Sequence, residues 1–144
     1  MKKFLITIII LASIVISIAV FFYASIPDLK PTFSTVEIRS DKFNEAIYIK
    51  KMVWGLTGDH LVIVISKSSS KEFEPDSQKE IVFYGADYFF YKFVNDTLNL
   101  YVRAESSQPK DLKTNIKINQ IELTNPQMMD LYKDYGIRGI KKID

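Results

Sequence analysis

The chain contains a single histidine, His60, which directly follows Asp59. An imidazole beside a carboxylate can serve as a general base or as part of a metal site. A transition-metal site needs three or four ligands, and the sequence offers no second histidine and no cysteine. We therefore expect His60 to be an exposed turn residue, and we expect no metal and no cofactor.

Other catalytic patterns are also missing from the sequence. It has no G-x-S-x-G motif, and its five glycines do not form a phosphate-binding loop. The carboxylates Glu72 and Glu74 lie in a polar stretch, where nothing predicts the burial that carboxylate catalysis requires. The sequence thus predicts a protein that is not an enzyme. The alternative, a hydrolase or metal-dependent enzyme, requires His60 or an acidic cluster in a deep pocket.

Seven aromatic residues crowd into positions 83–93. In an extended strand, Tyr88 and Phe90 point to one face, whereas Phe89 and Tyr91 point to the other. Either a partner binds the aromatic face that the core leaves open, or structure covers both faces, and we favour the second interpretation. As a candidate binding surface for a protein or a glycan we retain Trp54, Tyr88, Phe90 and Tyr101.

The stretch Phe4–Tyr23 has no charge, no proline and no glycine over 20 residues. As a helix with a rise of about 1.5 Å per residue it is about 30 Å long, the thickness of a bilayer's hydrocarbon core. A secretory signal has a shorter apolar core, of about 7–15 residues. We expect an uncleaved transmembrane signal anchor that contacts membrane lipid through residues 4–23. The alternative is cleavage at Ala19, which releases a secreted β protein.

The charges that flank this stretch predict its orientation. Lys2 and Lys3 precede it, whereas Asp28 and Lys30 cancel after it. The positive-inside rule keeps the N-terminus in the cytoplasm and places the C-terminal domain on the other side. Because the composition is typical of an AT-rich bacterial genome, we expect a cell-envelope protein in the inner membrane that faces the periplasm.

Composition limits the partners and the number of domains. The chain carries 19 basic and 17 acidic side chains, and Lys2 and Lys3 account for the difference. The remainder is neutral, so nucleic acid is not an expected partner. The absence of cysteine excludes disulfides and thiol catalysis.

A chain of 144 residues has room for one anchor and one small domain. We place the cytoplasmic N-terminus and anchor at 1–23, a tether at 24–32 and an extracytoplasmic β domain at 33–144.

From residue 33 onward the chain shows alternating apolar residues and many β-branched and aromatic ones, which is typical of strands. The third strand is apolar on both faces, so we expect it to be central and covered on each side. The fold class is therefore mainly β: a mostly antiparallel sandwich or curved meander of about seven strands, with one short C-terminal helix. The predicted strands are Ser34–Arg39, Ala46–Trp54, Leu61–Ser66, Glu80–Tyr84, Tyr88–Val94, Leu98–Arg103 and Ile116–Leu123.

Two hairpin turns and a bulge are predicted within this pattern. Glycine, asparagine and aspartate mark turns at Gly55–His60 and Asn95–Thr97. In the seventh strand the apolar residues change from one face to the other partway along, which predicts a β-bulge near Asn119 and Gln120.

The end of the sequence predicts a helix and an edge strand. Asn125 is the predicted helix cap, Pro126 the first helical position, and Gly136 the residue that ends the helix. The tail 137–144 is expected to add an edge strand, held by Ile137, Ile140 and Ile143.

These features favour a non-enzymatic membrane-anchored protein whose extracytoplasmic β domain serves in binding or accessory interactions. The alternative is a membrane assembly or immunity subunit that is recognised through its transmembrane helix. Serines four positions apart, Ser13 and Ser17, would give such a helix a small-residue contact face.

Overall fold

The structure, a computed structural model, describes residues 2–25, 30–55, 58, 60–86 and 88–143. These residues form two α-helices and eight β-strands. In chain order they are α1 (Lys2–Ser25), β1 (Thr32–Ser40), β2 (Glu45–Trp54), β3 (His60–Ser66), β4 (Ile81–Tyr84), β5 (Phe90–Val94), β6 (Thr97–Val102), β7 (Lys117–Glu122), α2 (Asn125–Asp134) and β8 (Lys141–Lys142).

The eight strands form two four-stranded sheets. The first sheet has the order β1-β2-β3-β4, and every neighbouring pair is antiparallel. The second has the order β7-β6-β5-β8, in which only β6 and β7 run parallel. The predictions of a mainly β, mostly antiparallel fold with one short C-terminal helix are confirmed.

The main core lies between the two sheets. Alternate residues of β2 and β3 supply one side, so that Ile47, Ile49, Ile63 and Ile65 have no accessible surface. The facing side chains come from the second sheet and from its flanking segments. They include Phe89, Tyr91, Leu98, Leu100, Val102, Ile116 and Ile143. Burial of this apolar area is the main stabilising contribution to the fold.

The outer face of the first sheet carries a second, smaller apolar cluster. Val62, Val64 and Val82 are buried there, and Phe73 of the polar segment 67–80 packs over them. Strand β3 is therefore covered on both faces, as its continuous apolar sequence predicts.

The outer face of the second sheet is covered by α2. Met128 and Leu131 of this helix are buried against Phe90 and Ile140. The helix begins at Asn125, one residue earlier than predicted, so Asn125 is the first helical residue and not the expected cap. Its N-cap is the preceding residue, whose backbone N–H donates to Oε1 of Gln127 at 2.9 Å.

Strand β7 is regular, and the predicted bulge near Asn119 and Gln120 is wrong. All six of its residues pair with β6 in one unbroken parallel register. The apolar residues change face because both faces of this strand are covered by different layers. Ile118 packs against the core between the sheets, whereas Leu123 packs against the cluster beneath α2.

The tail forms the edge strand β8, which pairs with β5 and raises the strand number from the expected seven to eight. Ile140 and Ile143 are buried and hold it in place, as predicted. The prediction for Ile137 is wrong, because this side chain is 91% exposed. It lies in the turn after α2, before the chain reaches the sheet.

The two predicted hairpin turns join the expected strands. Asn95 and Asp96 have φ values of 50° and 55° and form a two-residue turn between β5 and β6. The turn between β2 and β3 includes residues 56, 57 and 59, which lie outside the described residues.

In α1 the structure describes the side chains of Ile6 and residues 10–21. Among the residues whose side chains are described, no helix is long and apolar enough to cross a membrane. Of the predicted tether at 24–32, residues 26–29 lie outside the described part of the chain.

Candidate functional site

An aromatic cleft lies on the outer face of the first sheet, and we call it the Trp54 cleft. Its volume is about 580 Å³, and it is open to solvent. Its lining is formed by Pro31, Phe33, Met52, Trp54, Glu72, Phe73 and Glu74.

The floor of this cleft is formed by side chains of β1 and β2 that point outward from the sheet. Met52 and Trp54 are two residues apart on β2, so both side chains point outward from the sheet. Phe33 on β1 pairs directly with Met52, and its ring meets the edge of Phe73 at a centroid distance of 5.7 Å. The cleft therefore joins two strands and the segment that crosses them.

Trp54 also stacks on His60, its cross-strand partner. The two ring centroids are 5.5 Å apart, and the rings are inclined by 25°. His60 is exposed, as predicted, but it is the first residue of β3 and not a turn residue. Asp59, which the sequence places beside it, lies outside the described residues. His60 thus lies against one face of the Trp54 ring, which also lines the cleft.

The wall of the cleft is fixed by a buried ion pair. Nζ of Lys50 lies 3.5 Å from Oε1 of Glu80, and both side chains are almost fully buried. The same ammonium group lies 4.7 Å from the centroid of the Phe73 ring. Because Glu80 also accepts a hydrogen bond from the N–H of Asp76, the ion pair ties segment 67–80 to the sheet.

The other three predicted site residues lie on the second sheet. Phe90 has no accessible surface, because α2 covers it. Tyr88 and Tyr101 are half-buried around the same cluster. The predicted set is thus divided between the outer faces of two different sheets, with Trp54 separate from the others.

The rings beneath α2 form one connected cluster. Tyr132 of the helix meets Tyr88 edge-on at a centroid distance of 5.2 Å, and Tyr135 lies 5.3 Å from Phe90. Arg103 lies 5.4 Å from the Tyr88 ring. These contacts hold the helix on the sheet and leave only part of Tyr132 exposed.

A polar cluster joins the two sheets at the start of β2. Nζ of Lys67 lies 2.8 Å from Oε1 of Glu45, and the N–H of Asn115 donates to the other carboxylate oxygen at 2.9 Å. The hydrogen bond from Lys67, supported by that from Asn115, lowers the pKa of Glu45 to about 2. This arrangement fastens the segment before β7 to the first sheet.

The described residues contain no group of three or more histidine, cysteine, aspartate or glutamate side chains that could hold a metal ion. The lining of the Trp54 cleft offers aromatic faces together with the carboxylates of Glu72 and Glu74. Such surfaces stack on flat ligands and accept hydrogen bonds from hydroxyl or amino groups.

The binding surface predicted from the sequence includes Trp54 but not its neighbours in the cleft, Phe33 and Phe73. The alternation of β1 places Phe33 on the outer face, but a paired strand was needed to bring it beside Met52. Phe73 is the only aromatic residue of a polar segment, and this isolation was the available signal.

Comparison with protein-family models, with curated proteins and with solved structures finds no match to this chain.

Proposed function

We propose that the chain is a single-pass membrane protein whose β domain, residues 33–144, acts outside the cytoplasm as a binding or accessory module. The supporting observation is the apolar stretch Phe4–Tyr23, which is long enough in sequence to span a bilayer. Lys2 and Lys3 favour a cytoplasmic N-terminus.

The exposure of α1 supports this proposal. Consecutive helix residues point about 100° apart, and Ile14, Val15 and Ile16 are each more than half exposed. Apolar side chains are therefore exposed around the helix and not on a single stripe. A helix that is apolar on all sides is favoured in a protein core or in lipid.

Single-cysteine labelling tests the anchor and its orientation, because the natural chain has no cysteine. Lys3→Cys and Ser69→Cys place one thiol on each side of the proposed anchor. In bacterial spheroplasts that express the full chain, a membrane-impermeant maleimide should label Ser69→Cys and spare Lys3→Cys until detergent is added. The reverse pattern would contradict the orientation. Recovery of the uncleaved chain in the soluble fraction, or mass spectrometry that shows a mature chain starting after Ala19, would contradict the anchor.

Within the domain, we place the binding site in the Trp54 cleft and propose a saccharide as its ligand. Sugar rings stack on aromatic faces through their apolar side, and their hydroxyl groups donate to carboxylates such as Glu72 and Glu74. Tyr88, Phe90 and Tyr101 then have a structural role beneath α2. A protein partner at the same cleft is the alternative.

The binding proposal is tested by the fluorescence of Trp54, the only tryptophan in the chain. Titration with soluble cell-wall saccharides should give a saturable change in emission. Phe73→Ala should weaken it, whereas Tyr88→Ala, on the other sheet, should leave it unchanged. A response lost in Tyr88→Ala and kept in Phe73→Ala would reject the cleft. Circular dichroism controls for the fold of both variants.

The alternative function, recognition through the transmembrane helix, makes a different prediction. The hydroxyls of Ser13 and Ser17 donate to carbonyls within their own helix, at 2.8 Å each, so they need no partner helix. Replacement of Phe4–Tyr23 by an unrelated apolar helix should therefore preserve function. Loss of function in that chimaera, with the domain still folded and labelled outside, would favour the alternative.

A further inference from the structure

The two sheets end in four edge strands, and these differ in length. Strand β1 has nine residues, β7 six, β4 four and β8 two. Every residue of β1 pairs with β2 in one unbroken register. An edge strand directs every second N–H and C=O away from its neighbour, so a long regular edge is a template for another strand.

The segment around Ser106 contacts two of these edges, β4 and β7. Its hydroxyl donates to the backbone carbonyl of Val82 on β4 at 2.7 Å. The side chain of Gln120 on β7 exchanges two hydrogen bonds with the Ser106 backbone, both at 2.8 Å. The short edge β8 consists of two lysines. Lysine and short length are the usual protections of an edge.

Strand β1 is the longest of the four edges, although its last residue, Ser40, is buried and donates its hydroxyl hydrogen bond to Asp96. Its sequence, TFSTVEIRS, contains no proline, glycine or lysine, and its pairing contains no bulge. Within the described residues, its only neighbour in the sheet is β2.

We propose that β1 pairs with β1 of a second copy of this chain, antiparallel about a two-fold axis through Ile38. The two first sheets then form one continuous eight-stranded sheet. Residues 36–40 of each copy overlap, which is a common length for a strand pairing. Ile38 of one copy faces Ile38 of the other on the core side of the sheet. The proposal does not depend on the membrane anchor.

Charge complementarity selects this register. Glu37 and Arg39 are two residues apart on the same outer face of β1, are about half exposed, and lie 3.8 Å from each other within one chain. With the axis through Ile38, Glu37 of each copy faces Arg39 of the other, which gives two opposite-charge cross-strand pairs. A shift of the axis by one residue brings Glu37 to face Glu37, or Arg39 to face Arg39. An axis through Val36 lengthens the overlap but pairs no charges.

Charge reversal tests the interface in the full chain, purified in detergent with two different affinity tags. Glu37→Arg makes both facing positions positive, and Arg39→Glu makes both negative. Each variant alone should co-purify with itself roughly tenfold less than the natural chain does. A mixture of the two variants should restore association, because every facing pair is then of opposite charge. Lys133→Glu, an exposed reversal on α2, is the matched control and should change nothing.

Disulfide cross-linking tests the register. Facing residues of an antiparallel pair have Cα atoms about 4.5–5.5 Å apart, within the range of a disulfide. Copies with Glu37→Cys and copies with Arg39→Cys, produced in one cell, should cross-link on mild oxidation. Preferential cross-linking of Thr35→Cys with Glu37→Cys would instead indicate an axis through Val36. A preferred cross-link between Thr35→Cys and Glu37→Cys would overturn the proposal, and so would the absence of a cross-link in both combinations. Equal self-association of all the charge variants would also overturn it.

Discussion

At the scale of single residues, two ion pairs differ in how they contribute to the fold. Lys50 and Glu80 lie out of solvent beneath segment 67–80, with side-chain exposures of 1% and 9%. Glu45 is largely buried, but its partner Lys67 is about half exposed. In a buried pair each charge depends on the other, because an unpaired buried charge is costly. A pair that reaches solvent contributes less, because water screens the attraction between its charges.

For the buried pair we expect the effects of the two substitutions on the free energy of unfolding to be strongly non-additive. Glu80→Gln leaves the Lys50 ammonium group without its counter-charge and should lower the free energy of unfolding by about 3 kcal/mol. The double variant Lys50→Met/Glu80→Gln removes both charges and should recover most of this loss. Urea unfolding of the single and double variants measures the coupling. Additive losses would contradict the expected dependence.

For Glu45 we expect a pH-dependent contribution to stability. Its pKa is lower in the folded protein, about 2, than its ordinary value of 4.5. The contribution is therefore present above about pH 4.5 and is lost as the pH falls towards 2. Glu45→Gln should lower the free energy of unfolding by about 1–3 kcal/mol at pH 7, since the exposure of Lys67 weakens the pair. The loss should be clearly smaller at pH 3.

The matched control is Asp130→Asn, which breaks an exposed pair with Lys133 on α2. Its effect on unfolding in urea should stay below about 0.5 kcal/mol at both pH values. The same loss for Glu45→Gln at pH 7 and at pH 3 would show that its carboxylate does not act through its charge.

At the scale of elements, alternation in the sequence predicted the strands well and the layers that cover them less well. The faces assigned to β5 are confirmed, since Phe89 and Tyr91 lie in the main core and Phe90 lies on the opposite face. The sequence of one strand does not specify which layer covers its second face. For β5 and β7 that layer is α2, so a change of face in β7 resembled a bulge.

The candidate site was predictable only in part for the same physical reason. Trp54 was identifiable as an aromatic residue at a strand end, beside a turn. Its grouping with Phe33 and Phe73 depends on strand pairing and on the path of a long polar segment. Neither the strand pairing nor the path of this segment can be read from the spacing of neighbouring residues in the sequence. Phe90 looked equally available, but a helix more than thirty positions away in sequence buries it.

The covering role of α2 leads to a prediction at the same scale. Leu131 is buried against the second sheet, whereas Met129 is about half exposed on the same helix. Leu131→Ala should lower the free energy of unfolding by about 2–4 kcal/mol, because it leaves a cavity above Phe90. Met129→Ala should change it by less than about 0.5 kcal/mol. Equal effects in urea unfolding would show that α2 is not docked on the sheet.

At the scale of the whole molecule, the domain is a stack of four layers: segment 67–80, the first sheet, the second sheet and α2. Both outer layers cover apolar clusters, which explains why so small a domain has apolar residues on both faces of its central strands. The layers differ in how they are held. The Lys50–Glu80 ion pair and Phe73 hold segment 67–80 on the first sheet. The apolar face of α2 and its aromatic contacts hold the helix on the second sheet.

The position of β1 also determines how the domain responds to mechanical load. Any pull transmitted through the residues before Thr32 reaches β1 first, at the end where Thr32 pairs with Val53. Because β1 and β2 form a hairpin, such a pull separates them one residue pair at a time, towards Ser40. Forced extension should therefore begin at low force with the peeling of this strand, while β2, β3 and β4 keep their pairing.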